Sequence, residues 1–135
     1  FGGIPRDRFY VSLAEKPRQD GLLRMLYAGQ ISADRGLDIL VEALGLLPPS
    51  FRRRIHATVV GIATGVHEDY YRQVVARVQE LGLTEIVKFA GRVGHDEMAR
   101  IYKNHDLLVF TSTRPEGLPL VMAEAMVAGP ALIHI

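Results

Sequence analysis

Two carboxylates near the end of the chain are placed to do chemistry. Glu116 and Glu124 stand eight residues apart in T-S-T-R-P-E-G-L-P-L-V-M-A-E-A-M-V-A-G-P, from Thr111 to Pro130. The stretch opens with hydroxyl residues in a loop, becomes helical near Pro119 and stops at Gly129-Pro130, because Pro suits a first helical turn and Gly a last one. Glu124 lies between Val121, Met122, Ala123, Ala125, Met126 and Val127, which leave it no solvated face. A buried carboxylate without donors is costly, so Glu124 is expected to meet hydrogen-bond donors or to line a cavity. Glu116 precedes the helix, where free amides and the helix dipole form an anion site. A plainer reading makes this an amphipathic helix whose Glu124 reaches solvent at its edge. Elsewhere, Arg35 is expected at the start of the helix that follows an apolar strand, and a guanidinium there can grip phosphate oxygens bidentately or simply be solvated. Gly61 and Gly65, in V-V-G-I-A-T-G, allow a backbone to approach a ligand closely.

The elements that must hold these residues follow from apolar runs and their punctuation. L-L-R-M-L-Y-A (22–28) predicts a buried strand closed by Gly29, and Leu37, Leu40, Val41 and Leu44 recur at helical spacing over 36–47. Pro48-Pro49 breaks that helix, and Arg52-Arg53-Arg54 reads as a solvated face. Further strands are expected at 55–60, 86–90, 107–111 and 131–135, with helices at 68–81, facing Tyr71, Val74, Val75 and Val78 inward, and at 96–103. Strand–helix units in succession, with strands as short apolar blocks, predict a parallel sheet covered on both faces, an α/β Rossmann-like doubly wound domain. Ligands on such sheets bind beyond the carboxyl ends of the strands. Arg35, Gly61, Arg92 and Glu116 all follow strand ends, so one crevice can gather them.

The chain has 135 residues, 48% apolar and 23% charged, with a net charge of +1 and no cysteine. That describes a soluble globular domain and excludes disulfides and thiolate metal sites. The near-neutral charge argues against a nucleic-acid partner. The longest near-apolar run, 117–133, contains Glu124 and two prolines and is no membrane span. The five histidines form no metal-ligating pattern, and His105-Asp106 reads as a helix cap. G-Q-I-S-A-D-R-G after the first strand is neither a P-loop nor a dinucleotide fingerprint. Phe1 at one end and a strand interrupted at Ile135 predict a fragment: 1–21 an interdomain linker or entry segment, 22–135 a domain truncated at its C-terminus.

With its flanking Gly117, Pro119, Ala125-Met126 and Gly129, the E-x7-E stretch resembles the signature of retaining GT-B glycosyltransferases, especially glycosyltransferase family 4. The resemblance runs from about Leu22 to Pro130 and implies the C-terminal, nucleotide-sugar-binding half of the GT-B fold. G-G-I followed by Phe9 resembles the interdomain segment loosely, with Gly2 for the usual Asn and Pro5 for the usual Asp. The family's G-R then K-G after the first strand is matched by Gly29-Gln30 and Arg35-Gly36, so one of two expected cations is replaced by Gln30. A V-G-x-G loop falls at Gly61, and F-x-G-x-V, which contacts the nucleobase, falls on Arg92 and Val93. The resemblance implies that Arg35 and the amides near Gly117 and Leu118 hold the diphosphate. It also implies that Glu116 binds sugar hydroxyls as the catalytic carboxylate and that Glu124 binds the ribose. The donor would be a nucleotide diphosphate sugar, with no cofactor or metal, and the acceptor site would lie in an N-terminal domain of the same parent. The implied location is cytoplasmic, at the membrane face through that other domain, and the isolated fragment would be inactive. Two alternatives stand beside this reading: a nucleotide-binding module without transfer activity, which Gln30 permits, and a GT-B-type sugar phosphorylase or epimerase.

Overall fold

The computed structural model describes residues 21–111 and the backbone of 131–134. Residues 1–20 of the linker expected at 1–21, and the expected loop with Glu116, Gly117 and Leu118 and helix with Glu124, lie outside the described residues. The elements run β1 (Leu23–Ala28), α1 (Leu37–Gly45), a short α2 (Pro49–Arg52), β2 (Ile55–Val60), α3 (Glu68–Glu80), β3 (Val87–Gly91), α4 (His95–Lys103), β4 (Leu107–Phe110) and β5 (Ala131–His134). The strands form one sheet in the order β3-β2-β1-β4-β5. Every pairing is parallel: Leu23 lies beside Ile55, Met25 beside Leu107, Ala57 beside Val87 and Leu107 beside Ala131. This is the expected Rossmann-like sheet, with strand order reversing between β1 and β4.

Side-chain alternation along the strands sorts the core into two layers. Tyr27, Ala57, Val59 and Val109 face α1 and α3, meeting Leu37, Leu40, Val41, Leu44, Val74 and Val78. Leu26, Val60 and Leu108 face the other way, against Ala99 and Tyr102 of α4. The four apolar positions predicted for α1 are the four it buries. Among those predicted for α3, Val74 and Val78 are buried, while Tyr71 packs its ring edge-on against Phe89, centroids 5.6 Å apart.

The break expected at Pro48-Pro49 is there, α1 ending at Gly45, and Pro49 then occupies the first turn of α2, where a missing N–H costs nothing. Two local expectations are corrected. Arg35 does not begin α1; it closes a 3-10 turn, Ala33–Arg35, and Gly36 at φ 69° separates the two. The arginine run is not uniformly solvated. The Arg52 guanidinium donates to the carbonyls of Leu47 (2.9 Å), Gly45 (2.5 Å) and Leu81 (3.1 Å), while Arg53 and Arg54 stay exposed. It therefore satisfies orphan carbonyls where α1 and α3 end together.

Candidate functional site

The loops at the carboxyl ends of β1, β2 and β3 are tied together by backbone hydrogen bonds. Gly29 N–H donates to Val60 O (3.0 Å), Ile31 N–H to Ile62 O (3.1 Å) and Gly61 N–H to Gly91 O (2.8 Å). Gly61 has φ 141°, and a Cβ there would stand 1.8 Å from Gly29 O. The absent side chain is thus required by the neighbouring loop, whatever else approaches this edge.

The loop after β1 is held at several points. Ile31 is buried in the core beneath it, and the Tyr27 hydroxyl donates to Gln30 O at 2.8 Å. Ser32, itself buried, donates through Oγ to Asp34 Oδ1 at 2.6 Å. Gln30 is left exposed, whereas Arg35 is half-buried with its Nε shielded from solvent. The Arg35 cation favours ionisation of the nearby Tyr27 hydroxyl, but burial outweighs it and holds that phenol well above its ordinary range. Next to this loop, the Tyr70 hydroxyl donates to Asp38 Oδ1 (2.6 Å) and accepts from Asp38 N–H (2.9 Å), joining α3 to the first turn of α1.

At the strand-order reversal the loop after β1 meets the end of β4. Thr111, 1% exposed, donates through Oγ1 to Arg35 O at 2.8 Å. Gly36 lies so close that a Cβ would stand 2.1 Å from Thr111 O. Open α/β sheets form their ligand crevice at this kind of reversal, at the strands' carboxyl ends. Arg92, exposed, follows Gly91 on the same edge, and Val93 packs half-buried against the α4 layer. The structure therefore places Gln30, Arg35, Gly61, Arg92 and Val93 after strand ends along one edge. Glu116, Gly117, Leu118 and Glu124 lie outside the described residues. Thr111 and Gly36 as a contact pair were not legible in the sequence, since 75 residues separate them.

The opposite edge carries a different feature, a cavity of about 230 Å³ lined by Arg24, His56, Thr58, Asn104 and His105. His105 caps α4 as expected, with Nδ1 2.6 Å from Ile101 O. Its Nε2 lies 3.0 Å from Thr58 Oγ1. The Ile101 carbonyl can only accept, so Nδ1 carries the proton and Nε2 accepts from Thr58 in the neutral ring. Asp106 instead clasps β1, accepting from Arg24 N–H (2.9 Å) and returning its own N–H to Arg24 O (2.8 Å). No cluster of three or more metal-ligating side chains occurs among the described residues.

A family model described as "Glycosyl transferases group 1" matches residues 12–135. The chain belongs to that family. It is 34% identical over 113 residues to the lipopolysaccharide 1,2-N-acetylglucosaminetransferase of Salmonella typhimurium, covering 81% of this chain and 29% of that protein. It is 32% identical over 121 residues to the D-inositol 3-phosphate glycosyltransferase of Streptomyces coelicolor, covering 85% of this chain and 25% of that protein. The chain therefore spans less than a third of the length of either relative. Among solved structures, Anabaena HepE in complex with UDP-glucose superposes with a TM-score of 0.81 at 28% identity, over 99% of this chain and 37% of that one. The fold also matches the C-terminal domain of a group 1 glycosyltransferase, LpcC, from Francisella tularensis (TM-score 0.81, 24% identity), over 98% of this chain and 70% of that one. These neighbours are GT-B glycosyltransferases, and this family member has the α/β sheet of that fold. No helix among the described residues is long and apolar enough to cross a membrane.

Proposed function

We propose that this chain is the donor-binding domain of a retaining glycosyltransferase of the family 4 type, which moves a sugar from a nucleotide diphosphate sugar to an acceptor hydroxyl. The observation that carries the reading is the reversal of strand order between β1 and β4, where the loop bearing Arg35 is bonded to Thr111 at the end of β4. The likeness to a structure holding UDP-glucose supports it, as does the E-x7-E spacing of Glu116 and Glu124. The acceptor site lies in an N-terminal domain of a longer parent, in keeping with the fraction of the relatives that this chain spans.

In this reading the transfer depends on stabilising the leaving diphosphate and positioning C1 of the sugar. The Arg35 guanidinium and the amides of Gly117 and Leu118 take the negative charge that develops as the glycosidic bond to the diphosphate lengthens. Glu116 fixes sugar hydroxyls, and Glu124 accepts from the ribose. Backbone groups at Arg92 and Val93 meet the base, and Gly61 lets the loop after β2 sit close to it. The test is a thermal-shift scan of the full-length protein with UDP, GDP and ADP and with their glucose, galactose, mannose and N-acetylglucosamine conjugates. At least one diphosphate and its sugar conjugate should raise the melting temperature. A flat response to every compound would sink the reading.

A further inference from the structure

We propose that Thr111 is a positioning residue for the donor site: its hydroxyl clamps the Arg35 backbone and so sets where the Arg35 guanidinium meets the donor diphosphate. This inference rests on the preceding assignment of Arg35 to the diphosphate. Thr111 is 1% exposed and its hydroxyl donates to Arg35 O at 2.8 Å, across 76 residues of sequence. Within the neighbouring turns, Arg35 N–H donates to Ser32 O (3.1 Å) and Gly36 N–H to Ala33 O (3.2 Å), while Ile39 N–H donates to Gly36 O (3.0 Å). Between the 3-10 turn and α1, the Thr111 hydroxyl adds a long-range bond to the Arg35 carbonyl. The approach is tight because Gly36, at φ 69°, has no Cβ to meet Thr111 O.

Thr111 is also the first residue past β4. Five residues further on stands Glu116. That hydrogen bond therefore joins the loop that carries Arg35 to the end of β4, five residues before Glu116 in the sequence. Losing it frees the Arg35 backbone to shift relative to the β4 end, and small displacements of a positioning group weaken its charge-assisted bonds. Thr at this place is a connector that needs a hydroxyl, whereas Val would fill the same volume without one.

The experiment uses the full-length protein, with the nucleoside diphosphate among UDP, GDP and ADP that stabilises it most. Calorimetric Kd values are measured for wild type, Thr111→Val, Thr111→Ser, Arg35→Ala and the double variant Arg35→Ala/Thr111→Val, well below each melting temperature. Thr111→Val should weaken diphosphate binding about three- to tenfold, the size of one lost hydrogen bond. Thr111→Ser should restore most of it, a rescue that a packing role would not give. In the Arg35→Ala background Thr111→Val should cost little more, because coupled residues are non-additive. Weaker binding in Arg35→Ala with unchanged binding in Thr111→Val, or full additivity of the two, would overturn the clamp and leave the diphosphate assignment standing. Unchanged binding in Arg35→Ala, or no binding of any diphosphate by wild type, would overturn both. If Thr111→Val fails to fold, Thr111→Ser alone and with Arg35→Ala is compared instead with Thr111→Ala, under the same criteria.

Discussion

At Arg35 the backbone carbonyl accepts from the Thr111 hydroxyl, and the proposed reading gives the side chain the donor diphosphate. A guanidinium gripping phosphate oxygens makes charge-assisted bonds, so Arg35→Ala should weaken nucleoside diphosphate binding by about 1.5–3 kcal/mol. Gln30 is exposed on the same loop. Restoring a cation there, Gln30→Arg, should tighten the same binding in a titration of the full-length protein; no gain would show that the site is complete without it. The two carboxylates separate along a different line. The ribose belongs to both bare nucleotide and intact donor, so Glu124→Gln should weaken nucleoside diphosphate and nucleotide sugar alike. Glu116→Gln should spare the diphosphate and reduce affinity for the intact donor, or turnover. Paired calorimetric titrations decide it, and equal loss of both ligands in Glu116→Gln would reassign that residue. These roles are expectations that the resemblance implies; what the sequence made legible is that Gln30, Arg35, Gly61 and Arg92 follow strand ends. The part Thr111 plays was not, because a contact between residues 76 apart exists only once β4 lies beside β1.

Secondary-structure elements followed the apolar periodicity closely, with most ends within one residue of those expected. Leu37, Leu40, Val41 and Leu44 mark the buried stripe of α1 in the sequence as in the structure. Gly82 likewise stops α3: at φ 69° it lets Leu83 N–H reach Val78 O at 2.9 Å and Gly82 N–H reach Gln79 O at 3.1 Å. Arg52 was illegible for a physical reason. Its three acceptors are carbonyls at the ends of two helices, and a carbonyl's need for a partner leaves no trace in side-chain pattern. Arg52→Ala should therefore destabilise the protein by about 1–3 kcal/mol, the range for charged hydrogen bonds lost at partly buried acceptors. Arg53→Ala and Arg54→Ala, at exposed positions, should stay within about 0.5 kcal/mol. Lysine should not rescue Arg52, since one ammonium cannot reproduce a planar fork reaching three carbonyls. Urea unfolding of the four variants measures this, and equal midpoints across the arginine run would return Arg52 to the solvent.

For the molecule as a whole, strand order and the two-layer core follow from parallel crossovers that cover both faces of the sheet, and the ionisable groups within them set how stability varies with pH. Between α1 and α3, Arg77 grips Glu42 through two bonds of 2.6 and 3.0 Å. The hydrogen bond from Arg77 holds the Glu42 carboxyl below its ordinary value of 4.5. A carboxyl lowered on folding contributes stability above its unfolded value, and that contribution is lost as pH falls through the folded one. The pair is exposed, so its share is small and fades with salt. The alkaline side is governed by phenols. Burial raises Tyr27 above 10.0, with Asp34 and Asp38 adding to the rise and Arg35 opposing it. Tyr70 is raised by burial and by its bond to Asp38. A group whose value is raised in the folded state favours folding fully below its unfolded value, and that preference is lost as pH climbs, because the unfolded chain releases the proton first. Stability should thus decline above about pH 10, the ordinary tyrosine value. Thermal melts across this range should show Tyr27→Phe and Tyr70→Phe flattening the alkaline decline, and Glu42→Gln flattening only the acid one. The sharper test follows tyrosinate absorbance together with circular dichroism during alkaline titration. Tyr27 should ionise only with unfolding, because burial of its anion costs more than the nearby Arg35 cation offsets. A wild-type titration in which all the tyrosines ionise near pH 10 while the fold persists would show that burial does not control this phenol.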